Sequence, residues 1–163
     1  MKIILLFFIS VILFGQESKL IEDPKTNKPM LIGITSRDAY HDPNFKIWFN
    51  EEYDNYNVDS SAAKELMPKI VDKKITIVLG TWCSDSRREV PRFLKVLDKI
   101  GFCDDNLNLI NVDRTKNGIA NETEDLEIEL VPTFIIYEND EEIGRIVETP
   151  EETLEMDLLN IVE

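Results

Sequence analysis

The sequence predicts an α/β domain with a mixed central sheet over residues 61–163, preceded by a helical N-terminal extension. Three observations predict it. Residues 75–79 are a β-branched, largely apolar run between Lys73-Lys74 and Gly80, the pattern of a strand buried on both faces. Behind it Val90, Phe93, Leu94, Leu97 and Ile100 fall on one helical face, and a second apolar run follows at 107–112. Two short runs, 134–137 and 143–147, then flank Asn139-Asp140, a turn pair that predicts an antiparallel hairpin. The order is β-α-β, a connection, then β-β-α.

The N-terminus reads differently from the rest. Lys2 precedes an uncharged run at 3–14, and Gly15 is small, which is the pattern of a secretory signal peptide over residues 1–15. The run is well short of the roughly 18 to 20 apolar residues that span a bilayer, so cleavage is expected and stable membrane insertion is not. Export to the periplasm or the extracellular space follows as an expectation. The formal charge is −14, from 32 acidic and 18 basic side chains, and such a surface repels nucleic-acid phosphates and anionic lipids as partners.

Residues 16–60 form the extension. Pro24, Pro29 and Gly33 predict an irregular lead-in over 16–40 with a short extended piece at 30–34. Asp42-Pro43 reads as an N-cap with proline at the first helical position. Phe45, Trp48, Phe49, Tyr53 and Tyr56 then recur on one helical face, an aromatic stripe expected to dock on the main domain. Ser60 or Ser61 can cap a helix through Leu66, interrupted near Pro68. The helix over 86–100 ends at Gly101. Residues 113–121 read as a loop and 122–126 as a weak helical piece. Thr149-Pro150-Glu151-Glu152 reads as a capping box for a terminal helix whose buried stripe is Leu154, Leu158 and Ile161.

Cys83 falls between the end of the first strand and the start of the long helix. Unpaired N–H groups and the helix dipole favour negative charge there, and the thiolate is the nucleophilic form of cysteine. Trp82 can wall one side, Arg87 and Arg88 add positive charge, and Asp85 opposes them. Only Cys103 could pair with Cys83. The intervening residues are mostly helical, a span of roughly 25 to 30 Å, against a limit of about 7 Å between disulfide α-carbons. Cys103 is therefore read as a partly buried residue at the end of that helix.

Trp82-Cys83-Ser84-Asp85-Ser86, with Pro91 five residues after Ser86 and Val131-Pro132-Thr133 before a strand, resembles the thioredoxin superfamily, whose pattern is Trp-Cys-x-x-Cys, a helix-kinking proline and a distant cis-proline. The fuller run at 80–93 is similar to that of exported bacterial thioredoxin family proteins. The resemblance covers about residues 66–162 and implies a thioredoxin-like three-layer fold. It further implies that Cys83 attacks disulfides, and that Pro132 is cis beside the sulfur with the Val131 backbone open to a substrate strand. Trp82, Val131 and Pro132 are thereby substrate-binding candidates, with Cys83 and Ser86 catalytic.

Three residues depart from that pattern. Ser86 stands in place of the resolving cysteine, Ile77 where many members bury an acid, and Glu148 where the family often has glycine. A hydroxyl cannot close a disulfide, although it can hydrogen-bond a thiolate. Two readings stay open. One is a monothiol protein that forms mixed disulfides with protein or peptide thiols and disulfides and is released by an external thiol reductant. The other is a redox-inactive peptide-binding module on the same scaffold.

The remaining motifs are weak. His41 belongs to a turn, the acidic clusters lack the spacing of a calcium loop, and Asn121-Glu122-Thr123 is a sequon of a kind that arises often by chance. The sequence carries no Cys/His metal set, Gly-rich phosphate loop or Ser-His-Asp combination, so neither a metal nor a cofactor is expected.

Overall fold

The computed structural model describes residues 18–163. The signal-peptide reading at 1–15 lies outside them. Six strands form one sheet in the order β1-β2-β4-β3-β5-β6. The elements are β1 (Ser18–Glu22), β2 (Pro29–Thr35), α1 (Lys46–Asn55), α2 (Ser60–Ile70), β3 (Lys74–Leu79), α3 (Ser84–Ile100), β4 (Leu107–Asn111), β5 (Thr133–Glu138), β6 (Glu141–Val147) and α4 (Leu154–Val162). β3 and β4 pair in parallel, with Ile77 opposite Leu109. Every other pairing is antiparallel. This is the mixed thioredoxin-like α/β fold.

Strand alternation divides the core. Ile75, Ile77 and Leu79 point to a cluster that gathers Phe49 from α1, Leu66 and Ile70 from α2, Phe93 and Leu97 from α3, and Leu154 and Leu158 from α4. Val78, Ile110 and Val112 point the other way, where Val131, Leu126 and Ile128 of the 112–131 segment cover them. Helices thus form one layer and this segment covers the opposite face. The 122–126 piece predicted as helical forms turns, and its Leu126, with Ile128 just beyond it, packs against the sheet.

The lead-in is more ordered than its composition suggests. β1 and β2 form a hairpin that extends the sheet beyond β4, with Gly33 opposite Asn111. The short apolar run at 30–34 signals β2, whereas Ser18–Glu22 is an exposed edge with too little apolar content to be read as a strand. The expected aromatic helix does dock: Tyr40 stacks on Phe49 at 5.2 Å, and Glu52 pairs with Arg92 of α3 at 2.6 Å.

Several caps differ from expectation. Asp42 caps a turn, accepting from Asn44 N–H at 2.8 Å, and α1 starts at Lys46. Asp59, not Ser60 or Ser61, caps α2 by accepting from Ser61 and Ala62 N–H. α2 also continues through Pro68 to Ile70. Proline removes one N–H near the helix end on the exposed side, while buried Leu66 and Ile70 hold the final turn. The 149–152 box is not a cap either. Thr153 accepts from Met156 N–H at 3.2 Å, and the N–H groups of Glu151 and Glu152 go to the Asp157 carboxylate. The predicted hairpin turn is present, with Asn139 and Asp140 both at positive φ.

Candidate functional site

Cys83 is the N-cap residue of α3, with extended φ and ψ of −87° and 132°. A tight turn delivers it: Cys83 N–H donates to Gly80 O at 2.8 Å, and Cys83 O accepts the first helical bond from Arg87 N–H. The thiol is half-buried and donates to Val131 O at 3.2 Å. The next peptide bond, Val131–Pro132, is cis. Pro132 O in turn accepts from Glu148 N–H at 2.7 Å, which ties the end of β6 to this loop. Ionising the sulfur removes its S–H donor and leaves Val131 O open to another partner.

Glu148 adopts φ 59°, a left-handed conformation that glycine takes without steric cost. That explains in backbone terms why glycine suits this position. Ile77 is fully buried among apolar neighbours. Ser86 is also fully buried, and its hydroxyl accepts from Gly80 N–H at 3.2 Å. Its oxygen therefore secures the turn that carries Cys83, while the thiol turns toward Val131. Cys103 is exposed, not partly buried as expected, because α3 ends at Gly101 and the chain leaves the core after Phe102. Both cysteines are free thiols.

Trp82 packs on the turn that carries Cys83. Its indole N–H donates to Val112 O at 2.9 Å, and the ring lies so close to Gly80 that a β-carbon there would sit 2.6 Å from Cε2. Glycine at 80 is what lets the indole lie flat on the turn. Of the two arginines expected to add positive charge, Arg88 is offset by carboxylates whereas Arg87 bonds a neutral carbonyl and keeps its charge. Arg87 Nε donates to Thr81 O at 2.5 Å, and Arg88 is paired with both Asp85 and Glu89.

A further cation at the site is Arg114, which sequence reasoning missed. Its guanidinium lies 4.6 Å from the Trp82 ring centroid. Nε and Nη2 hold the two oxygens of Asp23 at 2.7 and 2.8 Å, a fork-to-fork pair. Asp23 belongs to the turn between β1 and β2, where Lys25 N–H and the Thr26 hydroxyl also donate to it. The Arg114 hydrogen bonds hold the Asp23 carboxyl well below the usual carboxylate range, against the opposing effect of burial. The same pair raises Arg114 above its ordinary value, and negative charge on Cys83 adds to that rise, so guanidinium and sulfur lie within electrostatic reach. One signal could have found Arg114. Cys83 and Arg114 follow the C-terminal ends of two adjacent parallel strands, where α/β sheets collect their functional groups.

His41 ends a short 3-10 turn at Arg37–His41, and its Nδ1 lies 3.7 Å from Asp38. Among the described residues no His/Cys/Asp/Glu group is arranged to hold a metal ion, and no helix is long and apolar enough to cross a membrane.

The thioredoxin family model matches residues 58–160. A protein of unknown function from Pseudomonas aeruginosa shares the fold at TM-score 0.53 and 12% identity, over 72% of this chain and 81% of its own. An HIV epitope-scaffold does so at TM-score 0.52 and 15% identity, over 72% and 81%. Thioredoxin O2 from Arabidopsis thaliana, in the oxidized state, is 18% identical with a TM-score of 0.42, over 64% and 90%. No curated protein matches the chain. With its family model spanning more than half of the sequence, the chain belongs to the thioredoxin family, whose characteristic chemistry is thiol–disulfide exchange on protein thiols and disulfides.

Proposed function

We propose that this chain is an exported monothiol member of the family, which forms mixed disulfides with protein or peptide partners through Cys83. The observation that carries the reading is the placement of one half-exposed sulfur at the N-terminus of α3, against the loop of the cis peptide before Pro132. The Cys83 thiolate attacks a partner disulfide. A Cys83–S bond forms as the partner S–S bond breaks, and the partner's second sulfur leaves as a thiolate with the electron pair. Ser86 cannot break the new bond, and Cys103 lies beyond the far end of α3. An external thiolate must therefore attack the mixed disulfide, become joined to the partner and release the Cys83 thiolate. Export is supported by the pattern at 1–15.

The test is capture under oxidising conditions. Wild type should hold partners as reductant-sensitive adducts through Cys83, and Cys83→Ser should hold none. Cys83 should also alkylate at pH 7 much faster than Cys103, although Cys103 is the more exposed thiol. Equal slow rates would end the reading. A second reading, a redox-inactive peptide-binding module, is favoured by the sealed Ser86 and apolar Ile77. It predicts that Cys83→Ser captures partners as well as wild type does.

A further inference from the structure

The Asp23–Arg114 pair is oriented. The Asp23 side chain is 2% exposed and the Arg114 side chain 27%. The anion therefore lies inward and the cation faces solvent beside Trp82, within electrostatic reach of Cys83. The fork to Asp23 uses Nε and Nη2 and fixes the plane of the guanidinium, while Trp82 supports its face and is itself held by Val112 O. The result is an ion pair whose positive end, supported by Trp82, faces solvent next to Cys83, on a chain whose formal charge is −14. The nearby Arg88 differs in having two acidic partners, Asp85 and Glu89, against the single Asp23 of Arg114.

We infer that Arg114 is the specificity-determining residue of the site, selecting peptide disulfides that carry an acidic residue beside the reacting cysteine. The inference rests on the mixed-disulfide reading of Cys83. A carboxylate on the incoming peptide meets Arg114 as sulfur meets sulfur. The exchange itself is unchanged: a Cys83–S bond forms, the peptide S–S bond breaks, and the displaced half leaves as a thiolate. At a wet protein surface the attraction of an incoming carboxylate to the guanidinium, partly offset by the Asp23 carboxylate behind it, changes a rate or affinity by roughly two- to threefold.

The probe is a pair of synthetic peptides, each with one cysteine joined to thiopyridine as a mixed disulfide, flanked by Glu in one and Gln in the other. The leaving group is the same, so release of thiopyridone reads the effect of flanking charge alone. In a Cys103→Ser background, the chain should react roughly two- to threefold faster with the Glu peptide at low salt, and the advantage should collapse at high salt. Arg114→Gln should erase the preference and Arg114→Lys should largely keep it. A residue that only supports Trp82 would change both rates alike and leave their ratio unmoved. The inference is overturned if wild type shows no Glu preference, or if Arg114→Gln retains it. Failure of the underlying reading looks different: neither peptide would react faster with wild type than with Cys83→Ser.

Discussion

Replacing Ser86 by cysteine restores the sulfur that the site lacks, and its consequences can be worked from the geometry. Ser86 is fully buried and its oxygen accepts from Gly80 N–H at 3.2 Å. Sulfur accepts poorly and is larger. Loss of the bond costs about 1 kcal/mol and crowding adds about 1 kcal/mol, so reduced Ser86→Cys should be less stable than wild type by about 2 kcal/mol. Residues three apart in a first helical turn lie on one face with β-carbons about 5 to 6 Å apart, close enough for rotation and a small backbone adjustment to close a disulfide. Closing so short a loop returns about 2 kcal/mol through the unfolded chain. The oxidised variant should therefore unfold at close to the wild-type urea midpoint, with the reduced variant below both. Insulin reduction with dithiothreitol should show turnover for Ser86→Cys and little for wild type. If the variant forms the disulfide by mass and still fails to turn over, the missing resolver is not what limits this protein. Thioredoxin-level turnover by wild type would refute the argument from the other side.

Other consequences follow from single contacts. Gly80→Ala drives a β-carbon into the indole of Trp82, which Val112 O and Arg114 hold in place; it should cost about 1–3 kcal/mol in urea unfolding and shift tryptophan emission. Glu155 is fully buried and accepts from the Tyr56 hydroxyl at 2.8 Å and Asp59 N–H at 3.0 Å. Tyr56→Phe leaves one of its oxygens without that donor, at a cost of about 1–3 kcal/mol; a loss within a few tenths would show that water reaches the carboxylate. Asp23 has its folded-state value depressed, so its stabilising contribution is full above the unfolded value of about 3.9 and is lost as pH falls through the folded one. The stability gap between wild type and Asp23→Asn should narrow on acidification below about pH 4, and a gap that widened would reverse the assigned sign. Tyr53 is pushed up to about 12, by burial first and then by Asp98, so its contribution should decline as pH rises above about 10. Ultraviolet titration of Tyr53→Phe against wild type would locate it.

The parts of the fold legible in the sequence are those where burial dictates composition. Ile75, Ile77, Val78 and Leu79 are all inaccessible, and only a strand covered on both faces needs such a run. α3 was legible because its apolar face, its C-terminal glycine and Pro91 agree. Cys83 was legible from its position between the two. The edge strand β1 was not, since an exposed strand has no burial pattern to show. The caps at Asp59 and Thr153 lay a residue or more away from the ones read, because several Ser, Thr and Asp neighbours can each satisfy the same N–H groups. Arg114 was missed for a different reason. In Asp113-Arg114-Thr115-Lys116-Asn117 it looks like any solvated turn residue, and its partner Asp23 is far away in sequence. A local reading has no access to such a pair.

That pair also changes what the extension is for. The family model begins at residue 58, which would make everything earlier an appendage. Yet β2 covers the edge of β4, and Asn111 on β4 donates to Thr35 at 2.9 Å while accepting from the Tyr40 hydroxyl at 3.0 Å, all three residues being buried. Without the extension, β4 would present unpaired backbone groups and Asn111 would lose both partners, each loss costing about 1–3 kcal/mol. Arg114 would lose the carboxylate that fixes its plane on Trp82. The segment before residue 58 is therefore continuous with the sheet, and through Asp23 and Arg114 it reaches Trp82, the neighbour of Cys83.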